Sequence, residues 1–172
     1  MIAIDACALS LLINPGSRAP LDPTNQPIDR VADRFDYFQR QIIKTNNTLL
    51  IPTPALAEVL VAAEDGGPEL LSKIMKSSHF KVASFDELAA VEVAYMSREA
   101  ILKHGNKRGN SSEPWQKVKY DRQIIAIAKV NGADVIYTDD NNVANFAQIA
   151  GISVVRVYEM DLPPEGQNGL FD

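Results

Sequence analysis

The chain has 172 residues, 46% of them hydrophobic and 23% charged, with 17 Lys and Arg against 22 Asp and Glu and a net charge of −5. That length suits one domain with a core of its own, and the acidic balance argues against a protein that coats a polyanion with its whole surface. One cysteine, Cys7, excludes an intrachain disulfide framework. No apolar run approaches the ~20 residues of a membrane-spanning helix, and no basic-then-apolar leader opens the chain, so the expectation is a cytoplasmic protein with no membrane partner.

Met1 to Ile4 reads as a short buried strand ended by Asp5, and Ala6 to Ile13 as a short helix. Asn14 to Pro27, with four prolines and a glycine, is a loop. Ile28, Val31, Phe35, Phe38 and Ile42 then recur at helical spacing. Thr48 to Ile51 is a second strand. Thr53 fits an N-cap before Pro54, with a helix to about Glu64. Gly66-Gly67-Pro68 breaks it, and a short helix follows over Glu69 to Lys76. Phe80 to Ala83 is a third strand. Ser84-Phe85-Asp86-Glu87 fits a capping box that opens a helix to about Lys103. After a polar loop, Trp115 to Val130 is helical and stops at Asn131-Gly132. Val135 to Tyr137 is a fourth strand, Asn142 to Ala150 a helix, and Ile152 to Val157 a fifth strand. The expected organisation is one domain over residues 1–160 with a flexible tail over 161–172.

Short β-branched strands alternating with helices predict an α/β domain, a parallel sheet covered on both faces. Right-handed crossovers bring the C-terminal ends of all strands to one edge, where such sheets bind ligands. Four acidic positions fall where a desolvated carboxylate is costly. Asp5 and the pair Asp139-Asp140 follow strands directly. Asp121 shares a helical stripe with Val118, Ile125 and Ala128, and Glu58 sits one turn into a helix among Leu56, Val59 and Leu60. Converging carboxylates repel one another unless a cation intervenes. Mg2+ or Mn2+ suits an all-oxygen set, and phosphodiester hydrolysis is chemistry such a site performs without a side-chain nucleophile. His79 and His104 have no partner histidines at ligand spacing, which argues against zinc.

Four pieces of the sequence, in order, resemble those of PIN-domain proteins, the metal-dependent ribonuclease fold that includes VapC-type toxins. They are Ile4-Asp5, Ala57-Glu58-Val59-Leu60, Tyr120 to Ala128, and Ile136-Tyr137-Thr138-Asp139-Asp140, spread over residues 1–157. The resemblance implies a three-layer α/β/α domain with a parallel five-stranded sheet ordered 3-2-1-4-5. It implies Asp5, Glu58 and Asp121 as metal ligands and catalytic residues. It makes Asp140, two positions after a threonine, the fourth ligand in preference to Asp139, which stands beside it as a further metal-site or turn residue. It also implies an RNA substrate, an antitoxin partner and a homodimer. The chain departs from the family at Ala6-Cys7, where a hydroxyl or amide residue usually follows the first aspartate, and in the extra length of Asn14 to Pro27 and of Lys103 to Lys119.

The second of these stretches holds Lys103, His104, Lys107, Arg108, Lys117 and Lys119 with Trp115, and leads straight into Asp121. A basic loop with one aromatic is suited to clamping a phosphate backbone and stacking a base, so Lys107, Arg108, Trp115, Lys117 and Lys119 are the expected substrate contacts. Each acid also has a plain structural role open to it: a strand-end cap for Asp5, a solvent-facing helix position for Glu58, a dipole-favouring first-turn acid for Asp121, a turn and N-cap for Asp139-Asp140. Three functions therefore compete: a metal-dependent endoribonuclease, a binding module that keeps the fold without catalysis, and a phosphotransfer domain with Asp5 as acceptor. The last is disfavoured, since Cys7 stands where its second acid would be.

Overall fold

The computed structural model describes residues 1–14 and 16–164. Five parallel strands, β1 (Ile2–Ile4), β2 (Leu49–Pro52), β3 (Phe80–Ala83), β4 (Val135–Tyr137) and β5 (Ser153–Val155), form one sheet in the order 3-2-1-4-5. Among the described residues seven α-helices accompany them: α1 (Ala6–Ile13), α2 (Val31–Lys44), α3 (Thr53–Ala62), α4 (Gly67–Lys76), α5 (Glu87–His104), α6 (Trp115–Val130) and α7 (Asn141–Ile149). Residues 161–164 carry no helix or strand, and the rest of the expected tail, 165–172, lies outside the described residues.

Alternation along the strands divides the core in two. Ala3 pairs in register with Leu50 and with Ile136, and this row packs with Val118, Ile125 and Ala128 of α6 and with Val143 and Ala147 of α7. The opposite row, with Ile4, Leu49 and Ile51, packs with Leu9 of α1, Phe35 and Phe38 of α2 and Val59 of α3. A sheet whose central strand is apolar on both faces must be covered on both, which is why β1 and β2 read as continuous apolar runs.

Several boundaries differ from expectation: α4 already begins at Gly67, with Pro68 in its first turn where a break was expected, and four others differ for a local reason. α2 begins at Val31, because Arg30 takes a left-handed conformation (φ 52°) that cannot continue a helix backwards. Ile28 is buried from the loop instead, its amide bonded to the Pro20 carbonyl at 2.9 Å. Thr53 is the first helical residue of α3 rather than its cap; Pro52 occupies the cap position without a side-chain bond. Asp86, not Ser84, caps α5, accepting from the Ala89 amide at 2.9 Å. β5 stops at Val155, since the Val157 amide bonds to the Asp139 carboxylate and a 3-10 turn follows over Val157–Glu159. The Pro-rich loop is organised by Asp22, whose Oδ1 accepts from the Thr24 amide and hydroxyl and from the Gln26 amide.

Candidate functional site

β1 and β4 are neighbours, with Ile4 opposite Tyr137, so the residues after each strand meet at the same edge. Asp5 leaves β1 with its amide bonded to the Tyr137 carbonyl at 3.2 Å. Its carboxylate is buried and both oxygens are engaged. Oδ1 caps α1, accepting from the Ala8 amide at 2.9 Å, and Oδ2 accepts from the Thr138 hydroxyl. Thr138 Oγ1 in turn accepts from the Asp140 amide at 3.0 Å. Thr138 is thus a wholly buried bridge between the ends of the two strands. Burial pushes the Asp5 carboxyl from the ordinary 3.8 up to about 6, against the pull of those donors, and the charge of Asp140 adds to the rise.

Asp121 is 4% exposed on α6, in line with Val118 and Ile125. Desolvation raises its carboxyl to about 6 as well, with Asp140 and Glu58 pushing the same way and Lys117 opposing. Asp140 caps α7 through Oδ1, which accepts from the Asn142 and Val143 amides at 2.7 and 3.1 Å. Desolvation acts upward on its carboxyl too, but the Lys117 ammonium and the two amides outweigh it, and the group lies below its ordinary value. Between Asp121 and Asp140 stands the Lys117 ammonium. Its Nζ is 3.1 and 3.3 Å from the Asp121 oxygens and 2.7 Å from Asp140 Oδ2.

The structure therefore brings Asp5, Asp121 and Asp140 together, with Glu58 exposed on α3 and within electrostatic reach of Asp121. Asp139 turns the other way: its Oδ1 accepts from Val157, and its buried Oδ2 has no partner among the described residues. The donor set is one of hard carboxylate oxygens, and it already surrounds a cationic group, which fits a cation of the Mg2+ or Mn2+ type. In the arrangement seen, however, no three acidic, histidine or cysteine side chains among the described residues are close enough to hold a metal ion. Cys7 is exposed, and its Sγ accepts from the Asp139 amide at 3.4 Å.

The basic stretch is divided. Lys117 is taken up by the acids, and Lys107 lies over the Trp115 ring at 4.4 Å. Trp115 is half-buried, with the Arg122 guanidinium 5.8 Å from its ring centroid as a second cation beside it. Arg108 and Lys119 are exposed. Lys103 pairs with Glu99 at 3.2 Å on α5. Arg122 is a residue that the sequence reading passed over. It is buried, donates from Nη1 to the Lys107 carbonyl at 2.6 Å and to Ser97 Oγ at 3.1 Å, and so ties the loop to α5 and α6. A cavity of about 730 Å3 between α5, α6 and α7 is lined by Arg108, Ser111, Arg122 and Asn142. It adjoins the acidic group without including any of its carboxylates.

No protein-family model and no curated protein matches the sequence. Solved structures match in fold. One is a chain of VapBC2 from Rickettsia felis bound to a promoter DNA fragment, at a TM-score of 0.57 and 18% identity over 91% of this chain and 98% of that one. Another belongs to DNA-bound VapBC from Salmonella typhimurium, at a TM-score of 0.54 and 20% identity over 91% and 97%. VapC is the PIN-domain toxin of such complexes. With the five-stranded order 3-2-1-4-5 in common, this chain has a PIN-type, VapC-like fold.

Proposed function

We propose that this chain is a Mg2+- or Mn2+-dependent endoribonuclease that hydrolyses RNA phosphodiester bonds in the cytoplasm, acting as the toxin of a toxin–antitoxin pair. The observation that carries the reading is the convergence of Asp5, Asp121 and Asp140 at the ends of β1 and β4, one through a buried threonine bridge and two around a shared cation. On this reading Asp5, Asp121 and Asp140 hold the metal, and Glu58 completes the set from α3. When bound, the metal supplies an activated water and a counter-charge for the phosphodiester. The chain's own groups do the rest. Two helix N-termini orient Asp5 and Asp140, and the exposed Arg108 and Lys119 offer positive charge to the RNA backbone.

A test is cleavage of a mixed-sequence RNA with Mn2+, with EDTA, and with the Asp121→Asn protein, folding being checked by circular dichroism. Loss of activity of at least ~100-fold is expected in the variant, beyond what losing a mere outer partner of a metal ligand costs. Full cleavage in EDTA would sink the reading.

A second reading is favoured by one observation. Lys117 bridges Asp121 and Asp140 without a metal and balances one of their two charges, so the same fold is able to persist as a binding module for RNA or protein. RNA retained by a folded protein that cleaves nothing at any Mn2+ concentration would select it.

A further inference from the structure

We propose that Lys117 is a built-in occupant of the cation position between Asp121 and Asp140, which a divalent metal must displace to load the site. The inference rests on the metal-dependent reading above and adds to it a residue of this chain that competes with the metal.

Among the described residues, Lys117 is the only hydrogen-bond donor to either Asp121 oxygen and to Asp140 Oδ2. The other Asp140 oxygen faces the amides of α7, and both Asp5 oxygens are committed to Ala8 and Thr138. The oxygens that no other donor engages are therefore the ones the ammonium already uses, while each Asp5 oxygen keeps a second lone pair beside its one hydrogen bond. Exposure decides which partner yields. The Asp121 and Asp140 side chains are 6% and 25% exposed, whereas Lys117 is 42% exposed on the first turn of α6. A lysine stem at the solvent edge is able to rotate outward while the backbone and the acids stay in place. Displacement exchanges one monovalent contact for a divalent one and returns the ammonium to water. Removing the lysine then deletes a competitor and leaves two adjacent carboxylates unbalanced, and both effects strengthen metal binding. A lysine that served only to staple α6 to the start of α7 would leave metal affinity unchanged when removed, or lower it.

The test is a Mn2+ titration of the full chain, followed by the electron paramagnetic resonance signal of free Mn2+. It uses the wild type, Lys117→Gln, Lys117→Met and Lys117→Arg. Mn2+ is expected to bind the Gln and Met variants with a Kd lower by about tenfold, the scale of one partly solvated charged contact. The Arg variant, which keeps the charge, is expected to stay near the wild type. An unchanged or higher Kd in the neutral variants overturns the inference and leaves the nuclease reading standing. Absence of saturable Mn2+ binding in every folded protein overturns both. A second measurement needs no variant: acylation of Lys117 in the wild type, read by mass spectrometry, should rise several-fold at saturating Mn2+ as the amine is released. Unchanged labelling under those conditions also overturns it.

Discussion

Replacing Asp5 by asparagine should stabilise the metal-free protein, and only above the pH at which the aspartate ionises. Burial raises this carboxyl from 3.8 to about 6, which costs the ionised form about 3 kcal/mol at 1.36 kcal/mol per pH unit. The folded state thus holds a proton on Asp5 between pH 3.8 and about 6 that the unfolded chain has released. By linkage, stability is greatest below that window, falls as the pH rises through it, and stays low above it. An amide at this position keeps an oxygen for the Ala8 amide but presents N–H groups to Thr138 Oγ1, which already accepts from Asp140. Turning that hydroxyl costs about 1 kcal/mol, leaving a net gain of about 2 kcal/mol at pH 7.5. Urea denaturation in EDTA, at pH 7.5 and at pH 4, reads the difference directly. Asp121 shares the upward shift and titrates in both proteins, so the comparison isolates Asp5. Most substitutions at buried positions destabilise, which makes the sign informative. An Asp5→Asn protein less stable than the wild type at pH 7.5, or a gain that persists unchanged at pH 4, would refute the reasoning.

Thr138→Val keeps the volume but removes the bridge, leaving the Asp140 amide and Asp5 Oδ2 without their partner. A loss of about 1–3 kcal/mol is expected in thermal or urea unfolding, and a loss under 0.5 kcal/mol would mean that water replaces the hydroxyl. Asp140→Ala removes the α7 cap, which should cost about 1 kcal/mol and at the same time weaken Mn2+ binding; an unaltered Mn2+ isotherm would exclude Asp140 as a ligand. Arg122→Met deletes the tie to the Lys107 carbonyl while keeping an unbranched stem between Trp115 and Phe146. Trypsin should then cut faster at Lys107 and Arg108, and unchanged digestion would show that the loop is held by other contacts.

The sheet was legible because its cause is local. Continuous apolar runs at Ile2–Ile4 and Leu49–Pro52, and stripes at helical spacing, depend only on which residues follow one another, and strand order came with the family resemblance. The placement of Asp5 and Asp140 followed from topology, since each comes directly after a strand. What stayed hidden depends on residues far apart in sequence. Thr138 reaches Asp5 across 133 positions, and Lys117 reaches Asp140 across 23. Half of the lysine's role was in view, because Lys117 and Asp121 stand four apart on one helix, the spacing of an ion pair. In sequence it stands among Lys107, Arg108 and Lys119, and that company masks the pairing. Arg122 was overlooked for the opposite reason. A cation beside an acid on an apolar stripe looks like a surface residue until a loop and two rings close over it.

The acids of the site are also its scaffold, and the two roles limit each other. Asp5 and Asp140 each commit one oxygen to the N-terminus of a helix, α1 and α7, which fixes the direction of the other oxygen to within the tolerance of a hydrogen bond. Asp121 has no such anchor and depends on its place in the α6 stripe and on Lys117. A cation entering this group would meet two donors anchored by helix N-termini and one whose only hydrogen-bond partner among the described residues is its present counterion. The tightness of binding should therefore be set less at Asp5 and Asp140, whose geometry is fixed in advance, than at Asp121, whose carboxylate must exchange its lysine partner for the metal. For this reason substitutions at Asp121 and Lys117 should move metal affinity in opposite directions, whereas those at Asp5 and Asp140 should also move stability, through the helices they cap.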